Sequence, residues 1–395
     1  MAPPDKIFGL TVAFQNDESP DKINLGVGAY RDDDGKPFIL KSVQEAEKRI
    51  LSRHSNHEYS AIQGNDVFIK CSEEFTFGEN SAVMKEKRIA SIQCLSGTGS
   101  LRVIAECYKA ALNSTTPPKV YLPNPTWANH INIFKKGGLE PVSYGYYDDS
   151  LSRFNVKLLL DSMDLADDNS LFCLHACSHN PTGSDPSKAE WDAISQKVKE
   201  KNHLILFDNA YQGYASGDAE RDAYAVRKFV EDGHNVIVSQ SYSKNFGLYG
   251  ERIGCLSVVA QNSDEASRVM SLLKSSARAM YSNPPIYGAR IVSEILLSPE
   301  LKLLWKEECA AMTARIIQMR KSLRSELMRL GSTHNWDHIT LQTGMFCYSG
   351  LTKDQIGELK NKHHIYCTDD GRISIAGVTS KNVSYLAESI HDVTK

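Results

Sequence analysis

The run Ser241-Tyr-Ser243-Lys244-Asn-Phe-Gly follows the apolar stretch Val236-Ile-Val-Ser-Gln, and Arg252 comes shortly after it in Gly250-Glu-Arg-Ile-Gly. A lysine held near the end of a buried strand is partly desolvated. Neighbouring cations depress its pKa further, so its free amine can attack a carbonyl. Lysines after strands are also commonly solvated surface residues. Here the hydroxyls of Ser241 and Ser243 and the guanidinium fork of Arg252 add a phosphate clamp beside the amine, which favours the chemical reading.

Four other strand ends carry polar groups in a coordinated way, and ligands of open α/β sheets bind beyond the carboxyl ends of the strands. Ser96-Gly97-Thr98-Gly-Ser100 opens a helix expected to begin near Leu101. Free N–H groups at a helix N-terminus attract a phosphate, although a capped glycine-rich turn would read the same way. The spacing is not the GxGxxG of a dinucleotide site. Leu204-Ile-Leu-Phe207 runs into Asp208-Asn-Ala-Tyr211, and a carboxylate ending so apolar a strand needs a partner. A protonated pyridine nitrogen would supply one; a capping role is the plainer alternative. In His175-Ala-Cys-Ser-His179-Asn180-Pro181-Thr-Gly183 the proline restricts Asn180 to extended or turn geometry, which could aim its side chain at a ligand. The two histidines lie on a strand and its exit loop, so a metal site is not expected. Asn124-Pro-Thr-Trp127-Ala-Asn-His130 offers an aromatic plane for stacking, or for core packing.

These groups need a scaffold. From about Ser91 to Cys255, short Val/Ile/Leu-rich runs alternate with amphipathic segments, the pattern of strands buried on both faces by helices. Strands are expected at Ile89–Leu95, Lys119–Leu122, Leu171–Ala176, Leu204–Phe207, Val236–Ser239 and Arg252–Val259, with helices such as Leu101–Leu112, Lys188–Lys201 and Ala223–Glu231 between them. Repeated β-then-α order predicts an α/β fold with a mostly parallel, doubly wound sheet. The amphipathic run from Pro299 to Leu330 is too long for a crossover helix and reads as a bridge to a smaller α+β unit: strand Gly344–Tyr348, helix Lys353–Lys362, strand Arg372–Ala376, helix Val383–Val393.

At 395 residues the chain exceeds the size at which one core stops growing, so two domains are expected. It is 41% hydrophobic and 24% charged with a formal charge of -3, which gives no basic field for nucleic acid or anionic membranes. Nine scattered cysteines without CxxC pairs suggest neither a disulfide framework nor a zinc site, and fit a reducing compartment. The opening Met1-Ala-Pro-Pro-Asp-Lys shows no signal core and no Arg-rich amphipathic run, and no apolar stretch would span a bilayer.

In this order and spacing the motifs resemble the fold-type I, pyridoxal-phosphate-dependent aminotransferases, within them the eukaryotic aspartate aminotransferases. The likeness runs through almost the whole chain: Ile23-Asn-Leu-Gly-Val-Gly28-Ala-Tyr-Arg31, His57-Glu-Tyr59, His179-Asn-Pro-Thr-Gly183, Ala210-Tyr-Gln-Gly213, Ser243-Lys-Asn, Ser282-Asn-Pro-Pro285 and Gly371-Arg-Ile-Ser374. The resemblance implies a large domain over 38–311 with a seven-stranded sheet, and a small domain from 1–37 and 312–395. It implies reversible ping-pong transamination between aspartate and 2-oxoglutarate through a Schiff base of Lys244 with pyridoxal phosphate.

By the same resemblance, Lys244 also moves the proton between the substrate Cα and the cofactor. Asp208, with His130 behind it, keeps the pyridine nitrogen protonated. Tyr211 and Asn180 hydrogen-bond the phenolic oxygen, and Trp127 stacks on the ring. Ser96, Gly97, Thr98, Ser241, Ser243 and Arg252 hold the phosphate. Gly28, Trp127, Asn180, Arg278 and Arg372 contact substrate, Arg372 forking the α-carboxylate and Arg278 meeting the side-chain carboxylate; a bidentate guanidinium selects a dicarboxylate because an apolar substrate would leave it unpaired. Arg278 and Tyr59 act across a subunit boundary in the family, which implies a homodimer with shared sites.

Two stretches depart from the family pattern, Ser60-Ala-Ile62-Gln-Gly-Asn-Asp66 and Thr340-Leu-Gln-Thr-Gly344, and bear on domain closure or affinity. The C-terminal part is nearer the mitochondrial form, so cytoplasm and mitochondrial matrix both stand. A different amino donor on the same fold, such as an aromatic amino acid or kynurenine, and a non-catalytic scaffold are the competing readings; Arg278 opposes the first, and the intact Lys244, Asp208 and Arg252 oppose the second.

Overall fold

The computed structural model describes residues 6–53 and 56–395; Met1–Asp5, read above for an address, lie outside them. Seven strands form the central sheet: β1 (Ile89–Leu95), β2 (Lys119–Asn124), β3 (Glu140–Gly145), β4 (Leu171–His175), β5 (Leu204–Asn209), β6 (Val236–Ser241) and β7 (Ile253–Val259). Their order is β1-β7-β6-β5-β4-β2-β3. Every neighbouring pair is parallel except those of β7, which runs antiparallel to both β1 and β6.

Side chains alternate between the two faces of a strand, and here both faces are apolar. Phe172, Leu174, Phe207 and Val238 pack with Trp191 and Phe229 on one side. Val120, Leu206, Ile237 and Leu256 pack with Leu101 and Leu273 on the other. The covering helices include α1 (Ser96–Leu112), α2 (Lys188–Lys201) and α3 (Ser263–Tyr281). A capping box between Ser187 and Glu190 starts α2 where the periodicity placed it.

Helix α1 begins at Ser96, earlier than the Leu101 expected: Ser96 turns the chain with a left-handed φ of 60°, and the small residues after it form the first helical turn instead of a loop. The edge strand β3 was not anticipated from the sequence, since only Tyr144 of its six residues is buried and no apolar run marks it. The departing stretch at residues 60–66 is a turn leading into helix Asp66–Phe77, which Asn65 caps through the Phe68 N–H at 3.0 Å.

Antiparallel β7 has a direct consequence for the site. Its N-terminal end lies with the carboxyl ends of the parallel strands, Gly254 facing both Ser241 and Cys94, so Arg252 reaches the edge where Ser96 and Lys244 emerge. A Cβ on Gly254 would come within 2.7 Å of the Gln240 carbonyl and 2.8 Å of Ser96, so only glycine lets these strands approach.

The long helix α4 (Pro299–Arg329), with Pro299 at its start and the Ser298 hydroxyl capping it, links the sheet to the rest. Its first half donates from Trp305 Nε1 to the Asn245 carbonyl (2.9 Å) and from Thr313 to the Tyr214 carbonyl (3.1 Å). Further along, Arg315 donates to the carbonyls of Asp32 and Val378. Beyond it, β8 (Phe346–Tyr348) pairs antiparallel with β9 (Arg372–Ser374), and Ile23–Asn24 pairs parallel with Ile365–Tyr366, joining the N-terminal segment to the C-terminal part. Ile375 and Ala376, expected to continue β9, belong instead to a 3-10 turn over Ile375–Gly377.

Phe172 is fully buried and stacks on Tyr121 at 4.6 Å. Its replacement by Ala should destabilise the fold by about 3–5 kcal/mol, read as a lower urea midpoint; a midpoint equal to the parent's would contradict the packing of this face.

Candidate active site

Beyond the carboxyl ends of the central strands lies a cavity of about 870 Å³, and its walls include Lys244, Asp208, Tyr211, Asn180, Arg252 and Arg372. Fourteen of the sixteen residues singled out from the sequence line or back it: Gly28, Ser96, Gly97, Thr98, Trp127, Asn180, Asp208, Tyr211, Ser241, Ser243, Lys244, Arg252 and Arg372 on the wall, and His130 behind Asp208.

Strand register explains the acid end. His175 of β4 stands beside Asp208 of β5. The Asp208 carboxylate meets His130 Nε2 at 3.1 Å and lies 4.0 Å from His175 Nε2. Burial alone would raise its pKa; the hydrogen bond from His130, with the nearby His175 ring and the charge of Lys244, outweighs this and holds it below the usual carboxylate value. His175 Nδ1 accepts the Asn180 N–H at 2.9 Å, so the ring's proton belongs on Nε2, facing Asp208. Burial drives His175 down to about 3, leaving it a neutral imidazole at physiological pH.

The lysine is fixed by its loop. Asn245 donates to the Gln212 carbonyl (2.9 Å) while its own carbonyl accepts from Trp305, and Lys244 Nζ sits 5.4 Å from the Tyr211 ring centroid. Burial lowers the Lys244 pKa; Asp208 opposes this, and Arg252 and Arg372 add to it. The net result is an amine easier to deprotonate than a surface lysine.

Beside it the hydroxyls converge. Ser96 Oγ lies 2.9 Å from Ser241 Oγ and 2.8 Å from Ser243 Oγ, at the N-terminus of the 17-residue α1. Arg252 Nη1 approaches Ser243 Oγ at 3.5 Å and donates to the Tyr249 carbonyl at 3.1 Å. Three hydroxyls, a guanidinium and a helix N-terminus form an anion cradle. Trp127 is half-buried, its ring edge-on to His130 at 5.2 Å; it packs against the core on one side and lines the cavity on the other.

Across the cavity Arg372 is 5% exposed and burial lowers its pKa. Its Nη2 donates to the Gly26 carbonyl (2.9 Å), its Nη1 approaches Asn180 Oδ1 (3.5 Å), and its guanidinium lies 4.2 Å over the Phe346 ring. Its Nε has no protein partner among the described residues.

Tyr59 and Arg278 are not brought into this group. Tyr59 is 90% exposed, and Arg278 is exposed on α3 with Nη1 donating to Ser282 Oγ at 2.5 Å. Conversely, the sequence reading did not assign His175, Tyr249 or Phe346 to the cavity they line. His175 ends a strand as Asp208 does, which is the signal that could have found it; Tyr249 lies in the loop between Lys244 and Arg252 but carries no motif of its own, and Phe346 reaches the cavity on a strand from far along the chain.

A model of the family described as aminotransferase class I and II matches residues 20–390. The chain belongs to this family. Among its relatives, proteins called mitochondrial aspartate aminotransferase from Dictyostelium discoideum and Arabidopsis thaliana are each 50% identical over all of this chain and 92% and 91% of theirs. Among solved structures, aspartate aminotransferase from the cytoplasm of Saccharomyces cerevisiae superposes with TM-score 0.96 at 42% identity, over 100% of this chain and 97% of that one. An aromatic-amino-acid aminotransferase from Burkholderia pseudomallei, covalently bound to pyridoxal phosphate, superposes with TM-score 0.97 at 38% identity, over 100% and 98%. The fold is thus the fold-type I aminotransferase fold expected from the motifs.

In cofactor-free protein at pH 7 to 8, reductive alkylation with a small aldehyde should label Lys244 ahead of exposed lysines, since its lowered pKa leaves more free amine. Peptide mapping reads this directly, and a Lys244 that lags surface lysines at every pH would contradict the assignment.

Proposed function

We propose that the protein is a pyridoxal-phosphate-dependent enzyme that reversibly transfers the amino group between L-aspartate and L-glutamate and their 2-oxo acids. The observation that carries this is the meeting, in one cavity, of a low-pKa lysine, a buried carboxylate, an anion cradle and a buried arginine with no carboxylate partner among the described residues. The names of the relatives support the substrate class.

Pyridoxal phosphate suits these residues chemically. Its phosphate matches the cradle of Ser96, Gly97, Thr98, Ser241, Ser243 and Arg252, and its pyridinium matches the Asp208 carboxylate. Gly97 has room in the cradle: a Cβ there would make only ordinary contacts, with Ser241 at 3.5 Å, Ser239 Oγ at 3.8 Å and Asp208 Oδ1 at 3.9 Å. The neighbour from Burkholderia pseudomallei is covalently bound to this cofactor. When bound, the cofactor supplies an electron sink for the substrate's Cα.

Around it, Lys244 Nζ takes the proton from Cα and returns it, a task for which its depressed pKa suits it. Asp208 stays ionised and holds a proton on the ring nitrogen, with His130 and His175 shielding it from water. Tyr211, whose pKa burial raises, donates a hydrogen bond and with Asn180 orients the phenolic oxygen. Arg372 binds the α-carboxylate, and Trp127 stacks on the ring.

Arg278 and Tyr59 complete the site of a second copy of the chain. In support, both are exposed here and neither lines its own cavity. The active unit is then a homodimer with shared sites, each chain built of a large unit (38–311) and a small one (1–37 with 312–395). We place it in the mitochondrial matrix or cytoplasm. All nine cysteines are free and buried, as suits a reducing compartment, and among the described residues no helix is long and apolar enough to cross a membrane. Side activity on aromatic donors is a second reading, favoured by the likeness to an aromatic-amino-acid aminotransferase.

The absorbance spectrum of the cofactor-loaded protein should shift to the pyridoxamine form on adding aspartate, with oxaloacetate released; no shift with aspartate or glutamate sinks the substrate assignment. Arg252→Ala should weaken pyridoxal phosphate binding about tenfold or more, the loss of one charge-assisted hydrogen bond, and equal affinity removes it from the cradle. Arg278→Asp should depress aspartate turnover far more than turnover of a neutral amino acid; an equal loss on both refutes its role.

A further inference from the structure

Arg320 lies in the second half of α4 and is 2% exposed. Nη1 and Nη2 of its guanidinium donate to four backbone carbonyls, Nη1 to Ile339 (2.8 Å), and Nη2 to Thr343 (3.3 Å), Gly344 (2.9 Å) and Phe346; the Cys347 side chain lies beside the group, and Nε has no partner among the described residues. A buried cation is costly unless its donors are satisfied, and converging carbonyl dipoles repel one another unless a cation sits between them. Each therefore stabilises the other.

The same carbonyls belong to a tight seam between two backbones. Thr343 N–H donates to the Gly183 carbonyl at 2.6 Å, and Thr343 Oγ1 donates to Asp185 at 3.0 Å. Asp185 in turn accepts the N–H groups of Ser178 (2.7 Å) and His179 (2.8 Å). Gly183, at φ 63°, leaves no space: a Cβ there would stand 2.7 Å from the Thr343 carbonyl and 2.8 Å from that of Phe346. On the cavity side this seam carries Asn180 and the Phe346 ring, the two groups that frame Arg372.

We propose that Arg320 is a positioning residue for Arg372: it gathers the 339–346 backbone into a clasp that seats Phe346 beneath the Arg372 guanidinium and holds the Asn180 loop against it. The link to substrate rests on the reading of Arg372 as the α-carboxylate receptor. Arg320 touches neither substrate nor cofactor; it acts by pre-orienting the guanidinium that does. A methionine would fill the space but leave the carbonyls unpaired, whereas a lysine retains a charge and three donors and should preserve part of the clasp.

The test compares parent, Arg320→Met and Arg320→Lys as full-length, cofactor-loaded protein. Hydrogen exchange over 178–185 and 343–348 reads the clasp whatever the cavity binds. The dissociation constant of succinate, a dicarboxylate without an amino group to react, reads Arg372 together with KM and kcat for aspartate. Arg320→Met should speed exchange in both segments, and raise the succinate constant and the aspartate KM about tenfold, the effect of about one lost hydrogen bond to a charged group, with a smaller change in kcat. Arg320→Lys should fall between it and the parent. Unchanged exchange in those segments overturns the clasp. Faster exchange with succinate affinity and KM equal to the parent's overturns the link to Arg372, and leaves Arg320 a residue of stability alone. Should Arg320→Met not fold, Arg320→Lys decides by the same criteria. A parent that binds no succinate speaks against the function proposed above, while the exchange comparison still decides the clasp.

Discussion

Charge buried in one cavity is the constraint on which this structure turns. Lys244, Asp208 and Arg372 all face the same space, and burial works against the charged form of each. Asp208 keeps its charge because His130 donates to it and because Lys244 and His175 lie close. Lys244 is pulled the other way by Arg252 and Arg372. One environment thus produces a carboxylate held ionised and an amine made easier to deprotonate, which is the pair of states that carbonyl chemistry at the lysine requires.

Holding such an arrangement calls for rigid support, and the sheet provides it. Five strand ends supply Ser96, Asn124 and the loop to Trp127, His175, Asp208 and Ser241, all at one edge because the strands are parallel. The antiparallel β7 adds Arg252 to that edge from its opposite end. Helix α4 then couples the lysine loop to the far side of the cavity: Trp305 and Cys309 both donate to the Asn245 carbonyl, while Arg320 collects the carbonyls behind Phe346. A shift of α4 along its axis would disturb both walls together.

The exposed Tyr59 and Arg278 belong to the same logic in a negative sense. A large aromatic and a guanidinium left outside the cavity are what the proposed site completed by a second copy would present. On the proposed pairing, selection between dicarboxylic and aromatic donors would rest on a residue that one chain cannot supply to itself.

What the sequence determined by itself was the local part of the problem. Apolar runs buried on both faces identified six of the seven sheet strands, and the rule that ligands gather beyond carboxyl ends found Lys244, Asp208, Asn180 and the Ser96 turn. Arg372, Arg278 and Tyr59 were legible only by resemblance, since nothing in an isolated arginine or tyrosine distinguishes a receptor from a solvated side chain. The edge strand β3 escaped because an exposed strand lacks an apolar run. Tertiary structure alone decided the rest: the antiparallel sense of β7, the register that sets His175 beside Asp208, and the packing of Phe346 and Arg320 behind Arg372. These are contacts between residues far apart in the chain. A local pattern restricts which face of a strand is buried and so its register within a pair, but which strand it pairs with and in which direction depend on the surfaces that meet in the folded whole.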